Sequence, residues 1–348
     1  MLYPPKTCWR LIVFALVVLC LVIMFFCMTT GPAHITFKEA FLLSIDSLPF
    51  VNIPDLVADF PLSHQTIVSE VRMPRVILAA LVGAALAGVG TTMQGLFKNP
   101  MADPYILGVS AGASLGAALA IVTGAGRLLG MWSLPLYAFL GAIISTWLAY
   151  FLARIGNKVP VYTLLLAGIA LSSFLNALMS FIMIRNSREL KQIVFWMLGS
   201  FSGSNWSQVK IAFPFILLGL SALLFFAKDL NALLFGEDTA QNLGVHVEQI
   251  KKLLLFIAAL TVAAAVSVSG TIGFVGLMVP HIVRLVTGPD HRILLPAGML
   301  AGAIFMMVTD SLARTILAPI EIPVGIITAF LGGPFFIYLI KRKNIKLF

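Results

Sequence analysis

The stretch Leu107–Gly116, LGVSAGASLG, holds Gly108-Val109-Ser110-Ala111-Gly112, a G-x-S-x-G pattern. On a sharp strand-to-helix turn that pattern makes its serine an acyl-transfer nucleophile, provided an acid and a histidine lie within reach. Ser110 instead follows NPMADPY and opens an apolar segment. None of His34, His64, His246, His281 and His291 has an acidic partner at a persuasive spacing. Gly108, Gly112 and Gly116 recur every fourth residue, which predicts a small-residue helix face that admits a second backbone closely. The same holds for Gly83, Ala87 and Thr91, and for Gly270, Gly273 and Gly276. Metal and nucleotide chemistry lack their patterns too: there is no H-E-x-x-H, no C-x-x-C and no P-loop. No cofactor is therefore expected in this chain. Cys8, Cys20 and Cys27 sit in or beside one apolar segment and read as small buried hydrophobes.

The elements that must position these residues are membrane helices. Of 348 residues, 60% are hydrophobic and 11% charged, and the mean hydropathy is +1.02. A soluble domain cannot hide that much apolar surface. Strand alternation is absent, so the fold class is all-α, a polytopic helical bundle whose backbone is satisfied within each helix. Ten apolar segments run at about 10–28, 72–97, 104–123, 131–153, 161–184, 209–227, 250–269, 272–287, 293–313 and 322–340, with a turn expected at Ser269-Gly270. The first follows Lys6 and Arg10 without a small-x-small cleavage site, so it reads as a retained helix. Segments two to five and seven to ten, in opposite orientation, are candidates for an inverted repeat. The whole of 1–348 reads as one transmembrane domain.

With both ends on one side, fourteen Lys and Arg fall on that side and nine on the other, which places both termini in the cytoplasm of a cell membrane. The net charge of +9 marks loop ends and forms no stripe for nucleic acid. Few ionisable residues fall inside the segments, which disfavours the alternative of an ion-coupled secondary transporter or channel acting alone. Asp310 and Arg314, at i and i+4, can pair, in a structural or a functional role. Arg72, Arg75 and Arg314 lie on the outer side, free to snorkel to headgroups or to grip carboxylates of an arriving protein.

The cytoplasmic segment 228–252 is the longest inner connection. Leu230, Leu233 and Leu234 share one side of a short helix. Glu237 and Asp238 suit the start of a second, and Gly244 its stop. Two short amphipathic helices there predict a plug for a partner's groove. The acidic pair disfavours the other reading, a helix lying on an anionic leaflet.

At this level the chain resembles a known family. RMPRVILAALVGAALAGVGTTMQGLFKNPMADPYILGVSAGASLGA (72–117) is similar to the signature region of permease subunits of ABC importers for iron-siderophores, haem and vitamin B12. GEDTAQNLGV (236–245), SGTIGFVGLMVPHIVRLVTGPDHR (269–292) and DSLARTILAPIEIPVGIITAFLGGPFFIYLI (310–340) resemble the same family in the same order. The resemblance covers the chain after about residue 60. It implies ten helices, a homodimer with the pathway on its axis, and a role as transport subunit rather than enzyme. By the same resemblance, two ATPase subunits, which bind the ATP and Mg, would dock below, and a substrate-binding protein would dock on the extracytoplasmic side. Helices five and ten would mainly line the pathway. Arg72, Arg75 and Arg314 would receive the binding protein's carboxylates. The 230–244 helices would couple to the ATPases. Asn99 and Met101, with Pro160 and Val161, would form a cytoplasmic gate. Pro160 and Val161 lack the small hydroxyl residues found there in some members. The cargo implied is an iron chelate, haem or a cobalamin-like chelate.

Overall fold

The computed structural model describes residues 6–47, 53–126, 130–156 and 158–341. Of the basic residues assigned above to one side or the other, Arg127, Arg342, Lys343 and Lys346 lie outside these ranges. The described residues form a helical bundle, which makes this a multi-pass membrane protein. The helices used below are α1 (Lys6–Thr29), α2 (Phe37–Asp46), α3 (Met73–Leu96), α4 (Val109–Thr123), α5 (Ser133–Ala153), α6 (Val161–Arg185) and α7 (Leu190–Met197). They continue with α8 (Trp206–Phe225), α9 (Ala227–Leu234), α10 (Glu237–Asn242), α11 (Val247–Ser269), α12 (Val275–Thr287), α13 (His291–Thr315) and α14 (Val324–Lys341).

Among the described residues, seven helices are long and apolar enough to cross a membrane: α1, the run Leu62–Leu96 that contains α3, and α5, α6, α8, α11 and α13. Three shorter apolar helices, α4, α12 and α14, stand where the remaining segments were expected. Capping fixes several starts. The Asp290 side chain accepts from Arg292 N at the head of α13, Asn205 from Gln208 N at α8, and Thr36 with Glu39 closes a capping box on α2.

α3 is the axis of the bundle and is buried along nearly its whole length, against α13, α12, α8 and α11. Its small residues make this approach feasible. A Cβ on Gly83 would lie 2.2 Å from Gly302 O, and one on Gly90 1.9 Å from Gly276 O. A second close pair joins α4 to α5, where a Cβ on Gly112 would meet Gly141 O at 2.3 Å and one on Gly116 would meet Tyr137 O at 2.1 Å. Gly108 differs from the packing expectation. A Cβ there has ordinary space, 3.5 Å from Ser172 Oγ, but the backbone stands at φ +77°, a left-handed turn that starts α4.

α4 and α12 are short because non-helical chain precedes each, at 97–108 and 270–274. Each begins after a residue of positive φ, Gly108 (77°) and Phe274 (70°). The Phe274 ring fills the space against Gly332, and α14's Phe336 lies beside it with ring centroids 6.1 Å apart. The two non-helical stretches meet: Tyr105 Oη donates to Ile272 O at 3.0 Å and accepts from Ile272 N at 3.2 Å. Irregular backbone inside a membrane needs such protein partners.

Candidate functional site

Three regions carry the polar chemistry. The first lies at the end of the bundle opposite α9. Arg75 faces Asp310 with two nitrogens, Nη2 at 2.9 Å and Nε at 3.0 Å, and its Nη1 reaches Glu321 at 2.9 Å. Arg314 Nε stands 3.3 Å from Asp310, while its Nη2 donates to Cys27 O and Ser311 Oγ, both at 3.0 Å. Arg72 Nη1 donates to Met28 O (2.7 Å) and Thr29 O (3.0 Å), and Nη2 to Ala33 O (2.7 Å). Cys27, Met28 and Thr29 are the last residues of α1, whose final carbonyls have no partners within their own helix. Two arginines therefore cap the negative end of α1.

The sequence pairs Asp310 with Arg314 by spacing. It does not show that Arg75, 235 residues away, is the closer partner, nor that Glu321 completes the group. The only signal for the latter two is that acids near an apolar boundary need cations. All three arginines are buried, at 4–6% exposure. In this conformation their guanidinium groups are spent on acceptors of their own chain rather than presented outward. The half-exposed member is Glu321, with 36% of its side chain accessible.

The second region is the α9–α10 knob. Leu230 and Leu233 are fully buried and Leu234 half-buried, so the leucine stripe anchors α9 on its own bundle, against α3 and α13. What the knob offers outward is Phe235 and Leu243, 76% and 66% exposed, flanked by Glu237 and Asp238. The turns at Gly236 (φ +116°) and Gly244 (φ +85°) bound α10. Glu237 reaches Lys251 of α11 at 2.5 Å.

Asn231, which spacing alone does not single out, ties this knob to the core. Its Nδ2 donates to Asp290 Oδ1 at 2.8 Å, and its Oδ1 accepts His291 N at 2.8 Å and faces His291 Nδ1 at 2.9 Å. Burial would raise the Asp290 carboxyl, but hydrogen bonds from Arg292 and Asn231 outweigh it and hold the pKa at about 2. Arg292 in turn lies 5.3 Å over the Trp9 ring of α1. α1, α9 and α13 thus share one node.

The third region is α6. One stripe, Leu164, Gly168, Leu171, Leu175 and Met179, is buried; the remaining faces are largely uncovered by the rest of the chain. Gly168 is the contact point, since a Cβ there would lie 2.0 Å from Ile106 O. The uncovered part includes Ser173, Asn176 and Ser180, three polar residues at i, i+3 and i+7. At the α9 end, Asn99 and Met101 are exposed, and Asn99 Oδ1 accepts Met101 N at 2.9 Å. Pro160 precedes the first turn of α6. Val161 shares a small cleft with Leu96 and Phe97, so the two expected gate loops are neighbours. Among the described residues no group of three His, Cys, Asp or Glu could hold a metal ion. Ser110 is the second residue of α4, and the described residues before it form no strand.

This arrangement can be set against known proteins. The family model described as the FecCD transport family matches residues 18–342. The chain belongs to the FecCD transport family. Membership extends the similarity well before residue 60, into α1. Among FecCD relatives, the cobalamin import system permease protein BtuC of Halobacterium salinarum is 45% identical over 286 residues, 82% of this chain and 76% of that one. The hemin transport system permease protein HmuU of Yersinia pestis is 44% identical over 278 residues, covering 79% of this chain and 83% of its own. A solved structure described as an inward-facing conformation of a transporter assigned to the metal-chelate type of ABC transporter superposes with a TM-score of 0.82. It shares 32% identity and covers 96% of this chain and 99% of its own.

Proposed function

We propose that this FecCD-family chain is the membrane permease of an ATP-driven importer of metal chelates, such as an iron chelate, haem or a cobalamin-like molecule. The observation that carries the reading is the α9–α10 knob. It exposes Phe235 and Leu243 on a compact pair of short helices outside any membrane span, while its own leucines root it in the bundle. Exposed apolar residues on a rigid polar-rimmed projection suit a partner's cleft. An ATPase subunit there would push on α9, and Asn231 would pass that displacement to the head of α13.

Two copies meeting through their α6 and α14 faces would enclose a path lined by Ser173, Asn176 and Ser180, wide enough for a chelate and without fixed charge. Asn99, Met101, Pro160 and Val161 would close it at the cytoplasmic end. The termini and the knob would then be cytoplasmic in a bacterial or archaeal cell membrane. A substrate-binding protein would dock at the arginine end by exchange, its carboxylate displacing the half-exposed Glu321 from Arg75. The rival, a transporter working alone, needs a relay of ionisable groups across the membrane; Asp310 is instead held in a buried ion cluster.

The test is reconstitution in proteoliposomes. Uptake of chelate should require ATP and the ATPase partner. Sustained accumulation by this chain alone, without nucleotide, would overturn the proposal.

A further inference from the structure

Between α5 and α11, at the knob end of the bundle, lies a groove of about 400 Å³. Its walls are Trp147 and Phe151 of α5 and Phe256 of α11, each about three-fifths exposed, and Leu107 of the non-helical stretch lines it as well. Trp147 and Phe151 stack at 5.7 Å and 15°, which makes one wall flat and apolar. Arg154 and Lys252 line the same groove, and both are exposed. Arg154 lies seven residues beyond Trp147, and Lys252 lies four before Phe256. At 1.5 Å per helical residue these offsets are roughly 10 and 6 Å, so both cations stand at the knob end of an apolar slot. The Arg154 Nε donates to Gly156 O at 2.8 Å, which holds the side chain against the turn that leads to α6. Among the described residues no carboxylate lines the groove; Glu248, one helical turn before Lys252, lines the adjoining cleft and stands 3.5 Å from Lys251.

We propose that this groove binds one anionic diacyl phospholipid of the leaflet on the knob side. Its phosphate would sit between Arg154 and Lys252, and an acyl chain would lie along Trp147 and Phe256. An apolar slot that ends in two cations at headgroup depth is complementary to that molecule in charge as well as polarity. A zwitterionic headgroup brings its own ammonium against the same two cations and gains less. The lipid would steady Arg154, and through the short connection to α6 also Pro160 and Val161 at its start. Only the assignment of the leaflet to the cytoplasm rests on the importer reading.

The full chain, stripped of lipid in detergent and titrated with phosphatidylglycerol or with phosphatidylcholine of the same acyl chains, is examined by native mass spectrometry. One phosphatidylglycerol should be retained per chain in preference to phosphatidylcholine. Arg154→Gln with Lys252→Gln should weaken it about 25-fold, at roughly five-fold per charge. Arg154→Lys should keep most of the binding, which separates loss of charge from loss of fold. Phosphatidylglycerol with brominated acyl chains should quench tryptophan fluorescence, and Trp147→Phe should remove that quenching. Equal retention of the two lipids, or undiminished retention in the double Gln variant, would overturn the proposal. So would quenching that survives in Trp147→Phe. None of these readouts depends on transport, so a failed importer reading would leave them unchanged.

Discussion

α1 and α6 are alike in how little of them their own chain covers: 11% of the apolar window of α1 and 17% of that of α6 are buried. Their exposed faces differ. The uncovered surface of α1 is apolar and includes Leu11, Phe14, Val18, Leu21 and Phe26. α6 leaves Ser173, Asn176 and Ser180 uncovered among its apolar residues. Lipid tails satisfy the first surface at no cost. On the second, the Ser173 and Ser180 hydroxyls donate to Ile169 O and Asn176 O of their own helix, so the Asn176 amide is the group that lipid serves worst and that the proposed path between two copies would serve better. Bareness in a single chain therefore has two meanings, and the polarity of the bare face tells them apart.

The largest expected effect comes from removing what clamps α1. Asp310→Ala leaves Arg75 and Arg314 buried without their shared carboxylate, and breaking such a group costs about 3–5 kcal/mol. Detergent-solubilised protein should lose most of its thermal stability, and protease should cut between α1 and α2 first. Unchanged melting would show that the cluster does not hold α1. A charge placed on each bare face then compares the two helices directly. Val18→Asp should block accumulation in the membrane, at about 3 kcal/mol for an acid at mid-helix. Asn176→Asp should insert at normal level and change only transport. Equal loss of both from membrane fractions would erase the distinction drawn above. The smallest effect is at the knob. Asn231→Ala removes three close polar contacts worth about 1–3 kcal/mol together. ATP consumed per chelate imported should rise several-fold with ATPase subunits still bound, whereas a merely structural role would lower both activities in step.

Much of the fold was legible in advance. Each apolar segment became a helix, and the chain turns at Gly270 with φ +70°. Where α4 and α12 begin was not legible. Hydropathy counts apolar residues whether or not they are helical, so 104–108 and 272–274 were absorbed into the segments. Gly108 matched a packing period that it does not serve, because its backbone angle was invisible in the period. The leucines of α9 show a similar limit: amphipathic spacing says that one face is buried, but not whether the chain's own core or a partner buries it. At the arginine end, sequence proximity exposed only the contact within one helix. The stronger pairing crosses 235 residues and exists only once α3 and α13 lie side by side through Gly83 and Gly302.

The phenol of Tyr105 has one more implication. It bridges two stretches of chain that break their helices near the same level and lie on opposite sides of α8 in sequence, accepting from and donating to a single residue of the other. Shearing the first half of the protein past the second would tear both bonds at once, in a place where water cannot replace them. In the proposed dimer, this lock favours a tilt of the entire protomer against its neighbour over sliding within it.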